Sequence, residues 1–331
     1  MLASMLNASG QFEVTGTVPT AAAARKFLAK HRVDFILLDI EMPGDDGLTA
    51  LPGLAAAAPG AKIIVVSSAT AAGVQAMAIG AADALTKPRA GELSAPFAKL
   101  LVDTLLRLNE ADLSPPAPGE RAAVVPLRPS KPKVPRPGGD EFDVMAIGAS
   151  TGGIHALGGL LRELPTSYQL PILVTQHLPT SFMPYFAAQL SLLAGRPCDV
   201  ATDRLRISPG RLIVAPGDAH IVCVALPGGG AAVRLSHEPA ASGCMPSVDP
   251  MFASAADVFG RRMLAVVLSG MGRDGTAGAL QAHTAGACVV AQDRSSSVVW
   301  GMPGSIVRAE IADAVLSPEA IGRLAATCRR P

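Results

Sequence analysis

An α/β fold, arranged as two doubly wound parallel-sheet domains, is predicted by three observations. Short, wholly apolar runs recur along both halves of the chain with helical stretches between them, the pattern of parallel strands covered on both faces. Of the 331 residues, 49% are hydrophobic but only 4% aromatic, so Ala, Val and Leu must fill the interior of thin helix–sheet–helix layers. Between the halves, the alternation gives way to proline, charge and small residues, as in Ser114-Pro-Pro-Ala-Pro-Gly119 and Pro129-Ser-Lys-Pro-Lys-Val-Pro-Arg-Pro137. Such a composition makes an extended, semi-rigid linker, whose Lys131, Lys133 and Arg136 read as a solvated tether more readily than as a docking patch. The expected boundaries are 1–107, 108–140 and 141–331.

In the first half, Met1–Asn7 reads as a helix and Phe12-Glu-Val-Thr-Gly-Thr-Val18 as a strand, the latter from its β-branched, alternating content. A helix over Ala21–His31 follows, then strands over Val33–Asp39, Ala61–Ser67 and Ala82–Lys87, the last closed by Pro88. Leu93–Leu106 has the apolar spacing of an amphipathic helix. Asp39 therefore stands at the carboxyl end of a buried strand, where open α/β sheets keep their sites.

The second half opens on Val144-Met-Ala-Ile-Gly-Ala-Ser-Thr-Gly-Gly153, an apolar strand running into Gly148-x-Ser150-x-Gly152. Flanking glycines permit a sharp strand-to-helix turn that lifts a serine hydroxyl off the sheet edge and aims backbone N–H groups at an oxyanion. A small-residue loop cradling phosphate or a dinucleotide is the alternative at this point. Two later strands favour the nucleophile. Pro171-Ile-Leu-Val-Thr-Gln-His177 ends in a histidine, and Leu264-Ala-Val-Val-Leu-Ser-Gly-Met-Gly-Arg-Asp274 runs through glycines into an aspartate. Serine needs a base to deprotonate it and a carboxylate to orient the base, and the chain presents both at strand ends. The order Ser, His, Asp differs from the Ser, Asp, His of the α/β-hydrolases, which argues against a general lipase or esterase.

Ile147-Gly-Ala-Ser-Thr-Gly-Gly153, Gln176-His-Leu-Pro179, Ala215-Pro-Gly-Asp-Ala-His220, Pro246-Ser-Val-Asp249, Gly270-Met-Gly-Arg-Asp-Gly275 and Gly301-Met-Pro303 together closely resemble the catalytic domain of the chemotaxis response-regulator protein-glutamate methylesterases, the CheB type. The resemblance covers nearly all of Phe142 to Leu324. It implies hydrolysis of glutamyl methyl esters on chemoreceptors, often with deamidation of receptor glutamines. Ser150 is then the nucleophile, His177 the general base and Asp274 its orienting carboxylate, with Thr151 and Met271 beside them as oxyanion or groove residues. His220 falls in a family motif, as a groove-lining or a loop-ordering residue; Asp249 reads as a capping or loop-orienting one, and His155 as structural. The family places an Arg before Pro-Ser-Val-Asp in several members, where this chain has Cys244-Met245.

The first half resembles a flavodoxin-like response-regulator receiver domain. The resemblance implies phosphorylation of Asp39 by a chemotaxis histidine kinase, with Ser67 as the switch hydroxyl and Lys87 as the cation that meets the phosphoryl group. Receivers begin with a strand ending in two acidic residues that hold Mg²⁺, and no such strand precedes the first helix here. Asp39 alone is expected to bind Mg²⁺ poorly, since a hard cation is held chiefly by carboxylates. An in-frame upstream segment supplying that strand is the expectation; the other possibility is a crippled regulatory domain. Ala84 occupies a position usually aromatic in receivers.

No step of the serine chemistry calls for a metal or organic cofactor, and His155, His177 and His220 lack the close spacing of a zinc site, so no metal is expected in the catalytic domain. Net charge is +1 with basic residues scattered, so nothing points to nucleic acid or an anionic membrane. Five cysteines without a C-x-x-C pair suit thiols in a reducing compartment, and no apolar run approaches the roughly 18 to 20 residues of a membrane span, so a cytoplasmic protein without membrane insertion is expected. A receiver-linked binding module, its glycine loop holding phosphate without turnover, is the competing function.

Overall fold

A computed structural model describes residues 2–42, 45–88, 94–113 and 142–331. The chain divides into two compact units, Met1–Pro115 and Pro116–Pro331. The proline-rich stretch expected as a linker lies almost wholly outside the described residues.

The first unit contains α1 (Leu2–Ser9), α2 (Ala21–Leu28), β1 (Phe35–Asp39), the two-residue strands β2 (Glu41–Met42) and β3 (Asp45–Asp46), α3 (Gly47–Ala57), β4 (Lys62–Ser67), α4 (Thr70–Ala78), β5 (Asp83–Thr86) and α5 (Ser94–Leu113). Its sheet is parallel in the order β1-β4-β5. β4 is buried along its whole length, as the central strand of a covered sheet must be. The register pairs Asp39 with Val66 and Ser67 with Thr86, which brings Asp39, Ser67 and the residue after Thr86 to one sheet edge.

Phe12–Val18 is not a strand. The segment carries no regular secondary structure and is largely exposed, and no described strand runs beside it to accept its backbone hydrogen bonds. Ring contacts anchor it instead: Phe12 packs edge-on against Phe35 with centroids 6.1 Å apart, and the Phe27 ring covers Gly16. Alternation of side chains satisfied the strand pattern, but a ladder needs a partner as well.

The second unit contains β6 (Val144–Ala149), α6 (Gly153–Arg162), β7 (Ile172–Gln176), α7 (Met183–Ala194), β8 (Cys198–Val200), β9 (Arg206–Ile207), β10 (Leu212–Val214), β11 (His220–Ala225), β12 (Ala231–Ser236), α8 (Val248–Phe259), β13 (Met263–Val267), α9 (Thr276–Thr284), β14 (Cys288–Gln292), α10 (Gly301–Arg308), β15 (Ala314–Leu316) and α11 (Pro318–Thr327). Seven strands form one parallel sheet in the order β15-β14-β13-β6-β7-β10-β8. The chain starts at β6, builds outward through β7, then returns to lay β13 on the other side, so the order reverses between β6 and β13. In doubly wound sheets that reversal opens a crevice at the carboxyl ends of the strands.

Alternate residues of the central strands face opposite helix layers. Val144, Ala146, Met263, Ala265 and Val267 share one cluster with Val248, Met251, Phe252 and Ala255 of α8. On the other face α6 packs against α7 and α11. Small residues on the strands let the helices approach closely, as the aromatic-poor composition foreshadows. A three-stranded antiparallel sheet, β11-β12-β9, was not foreseen; its β11–β12 hairpin, turning through Pro227–Gly230, packs on α8.

Candidate active site

The register of the sheet puts three candidate side chains at one edge. Ala149 of β6 pairs with Gln176 of β7, and Gly148 pairs with Val267 of β13, so Ser150, His177 and the Leu268–Asp274 loop all leave the sheet at the same level. Backbone bonds tie the three exits together. Ser150 N donates to Ser269 O at 3.0 Å, His177 N to Ala149 O at 3.2 Å, and Gln176 Nε2 to Ser150 O at 2.8 Å.

Behind Ser150 the chain must turn at once into α6, and Gly152 makes the turn with φ +75°. A Cβ there would also meet Val298 Cβ at 2.5 Å and Ser269 Oγ at 2.9 Å, so only glycine fits. Gly270 is constrained by proximity instead: a Cβ would lie 2.8 Å from Ser150 Cβ. The peptide leading to Met271 thus packs directly against the serine. The N–H groups of Thr151 and Met271 donate to no group among the described residues, which leaves both available to an oxyanion.

Asp274 is 3% exposed, and three donors converge on its carboxylate. His177 Nε2 lies 2.7 Å from Oδ2, Val248 N donates to Oδ2 at 2.7 Å, and Ser247 Oγ donates to Oδ1 at 2.6 Å. Burial alone would raise its pKa, but the hydrogen bonds from His177, Ser247 and Val248 outweigh burial and hold the carboxyl well below the usual range. Val248 is the first residue of α8, so the positive end of that helix adds to the effect. On His177, burial opposes the charged form, yet the Asp274 hydrogen bond and the neighbouring Cys244 raise its pKa from 6.5 to about 9. Because a carboxylate only accepts, Nε2 carries the proton shared with Asp274, and Nδ1 is the nitrogen left to take another. Ser150 Oγ makes no hydrogen bond to His177 in this structure; such contacts commonly close only around a bound substrate.

Three residues around this pair were given no chemical role from sequence. Ser247 caps α8 and donates to Asp274. His220 is buried and does not line the crevice: its Nε2 donates to Glu238 O at 2.9 Å, and its Nδ1 accepts from Ser247 N at 2.8 Å. It orders the loop that delivers Ser247. Cys244 stands near both His177 and Asp274, a proximity hidden in sequence by the 67 positions between the two rows of motifs. Asp249 accepts from Gly278 N at 2.7 Å and joins α8 to α9; burial and the Asp274 charge push its pKa up. His155 is exposed on α6.

In the first unit, Lys87 Nζ lies 2.7 Å from each oxygen of Asp39, and Glu41 Oε2 is 3.7 Å from the same cation. Ser67 is buried, and its Oγ accepts from Ala69 N at 3.0 Å without bonding to Asp39. Among the described side chains no three carboxylates lie close enough together to share one cation. Lys87 occupies both Asp39 oxygens, Glu41 N donates to one of them, and Asp46 is spent on Leu48 N and Thr49 Oγ1. Among the described residues no helix is long and apolar enough to cross a membrane.

Fold and site together define a class: a doubly wound α/β unit with a serine, a histidine and an aspartate at the switch of its strand order, preceded by a receiver-like unit. Residues 145–324 match the family model described as CheB methylesterase, and residues 1–95 match the response regulator receiver domain. The chain is 38% identical to the protein-glutamate methylesterase/protein-glutamine glutaminase of Azospirillum brasilense, over 97% of this chain and 87% of that one. It is also 38% identical to the enzyme of that description numbered 2 in Caulobacter vibrioides, over 97% and 93%. The crystal structure of the Thermotoga maritima CheB methylesterase catalytic domain superposes with TM-score 0.55 and 32% identity, covering 57% of this chain and 99% of that one. The chain belongs to the CheB methylesterase family, with a receiver domain ahead of its catalytic domain.

Proposed function

We propose that this protein hydrolyses glutamate methyl esters on chemoreceptors by a Ser150–His177–Asp274 triad, with glutamine deamidation as a second reaction at the same site. The observation that carries the reading is the 2.7 Å His177–Asp274 hydrogen bond at the switch point beside Ser150, in a chain of this family. Ser150 Oγ attacks the ester carbonyl while His177 Nδ1 takes its proton. The tetrahedral oxyanion is met by the Thr151 and Met271 N–H groups, each such donor being worth about two to three orders of magnitude in rate. The C–O bond to methoxide then breaks and His177 returns the proton, releasing methanol. Water repeats the sequence on the acyl-serine, freeing glutamate. Asp274 stays ionised throughout and stabilises the imidazolium. A glutamine follows the same course with ammonia leaving.

The receiver domain implies phosphorylation with Mg²⁺ as a class, with a chemotaxis histidine kinase as donor and the cytoplasm as the compartment. Asp39 is the proposed acceptor, and Lys87 would follow the charge onto the phosphoryl group. Incubating the purified chain with methylated receptor tests the central reading: stoichiometric methanol release is expected, whereas phosphate binding without any methanol would favour the binding module.

The base must be neutral to act, and His177 is held protonated up to about pH 9. Below that pH, kcat/KM is therefore expected to fall about tenfold per unit, on a limb set by the free enzyme. Cys244→Ala removes one of the contacts that raise the pKa, so the limb should move to lower pH. A pH–rate profile flat between pH 7 and 10, identical in the variant, would refute the raised pKa of His177 and the part of Cys244 in raising it.

A further inference from the structure

A thiol stands in the site that the hydrolysis does not use. Cys244 lies in the loop between β12 and α8, its N–H on Ser242 Oγ at 3.3 Å and its Sγ 3.9 Å from Ser242 O. Cys244 Sγ, a ring nitrogen of His177 and a carboxylate oxygen of Asp274 all lie within 4.8 Å of one another. Among the described residues no other trio of His, Cys, Asp or Glu ligand atoms gathers so closely. His177 and Cys244 are half-buried and Asp274 is buried.

The donor set selects the ion. One thiolate, one imidazole and one carboxylate suit a borderline-soft, tetrahedral cation and are wrong for Mg²⁺ or Ca²⁺, which want oxygen throughout. Zinc with bonds of about 2.0–2.3 Å needs its donors roughly 3.3–3.6 Å apart. Cys244 would have to rotate toward the pair, and, for a metal on Nε2, His177 Nε2 and Asp274 Oδ2, 2.7 Å apart, would have to part by about half an ångström. Asp274 is already oriented by Ser247 and Val248, the kind of support that holds metal-ligating carboxylates in place.

We propose that His177, Cys244 and Asp274 form a Zn²⁺ site with water in the fourth position, and that zinc bound there switches the esterase off. On binding, the Cys244 thiol proton leaves for solvent, and where the His177 ring carries two protons the one on the nitrogen that takes the metal leaves with it. Whichever ring nitrogen takes the metal, the other carries a proton, so the imidazole can no longer accept one from Ser150. The metal site stands on the geometry alone; the switching rests on the proposed triad.

Cobalt(II) titration of the full, metal-stripped chain is the test, because thiolate ligation gives an intense near-ultraviolet charge-transfer band. One equivalent is expected to produce it, and one equivalent of Zn²⁺ to abolish it. Cys244→Ser should lose the band and bind Zn²⁺ at least about tenfold more weakly. Burial pushes Cys198 and Cys223 up to about 12, so they do not compete as thiolates. Ser150→Ala should keep both band and affinity, since the serine is not a ligand. In the wild type, Zn²⁺ should stop methanol release and a chelator restore it, with Cys244→Ser needing correspondingly more metal. Normal methanol release with no band, or a band that survives in Cys244→Ser, would overturn the site. A Cys244-dependent band in a chain that releases no methanol would keep the site and refute the triad reading instead.

Discussion

Ser150→Ala is expected to lower methanol release by about five to six orders of magnitude without loss of the fold. In the proposed mechanism Oγ makes the covalent bond to the substrate, and its removal leaves that mechanism without a nucleophile. The side chain is half-buried, and its backbone bonds to Ser269, Gly153 and Gln176 do not involve the hydroxyl. Circular dichroism and melting should therefore match the wild type. His177→Ala should be comparably inactive, and the double variant little worse than either single one, because residues acting as a unit are not additive. Additive losses would mean that the two act in separate steps.

Asp274→Asn is the second large effect, expected at about four orders of magnitude in kcat, or about 5.5 kcal/mol of barrier. The carboxylate accepts from His177 Nε2, Val248 N and Ser247 Oγ. His177 Nε2 and Val248 N share Oδ2. An amide with its NH₂ at that position turns a donor toward the histidine, reverses the imidazole tautomer and places a proton on Nδ1, where the lone pair is required; an amide with its oxygen there keeps the tautomer but no longer supplies the charge that stabilises the imidazolium. Stability should fall by only about 1–3 kcal/mol, the cost of one ill-matched buried group. A variant with near wild-type kcat would show that Asp274 does not set the tautomer.

The proposed triad residues stand out in the sequence because each follows an apolar run that announces a buried strand, and buried parallel strands carry their sites at one end. What joins them is non-local: His177 and Asp274 are 97 positions apart, yet the register of β6, β7 and β13 brings their backbones level. The supporting loop was less visible. Ser247 sat in a motif without a role, and its delivery by His220 depends on a hydrogen bond across 27 positions that no periodicity encodes. Phe12–Val18 failed for the converse reason, since local alternation cannot supply a partner strand. Asp39 and Lys87 lie in contact, whereas the Ser67 hydroxyl oxygen accepts from Ala69 N two residues on, a local bond that no spacing in the sequence announces. The β11–β12 hairpin has a local signal in Leu226-Pro-Gly-Gly-Gly230, a glycine-rich turn between two β-branched runs.

Two nucleophiles stand near one histidine, and only one of them carries the acyl group if the triad is right. Acid quenching during turnover of a methylated receptor fragment, followed by proteolysis and mass mapping of the enzyme, measures this directly. The receptor glutamyl group should be found as an ester on Ser150 and be absent from the Ser150→Ala variant; a thioester on Cys244 instead, surviving in Ser150→Ala with methanol release intact, would contradict the assignment.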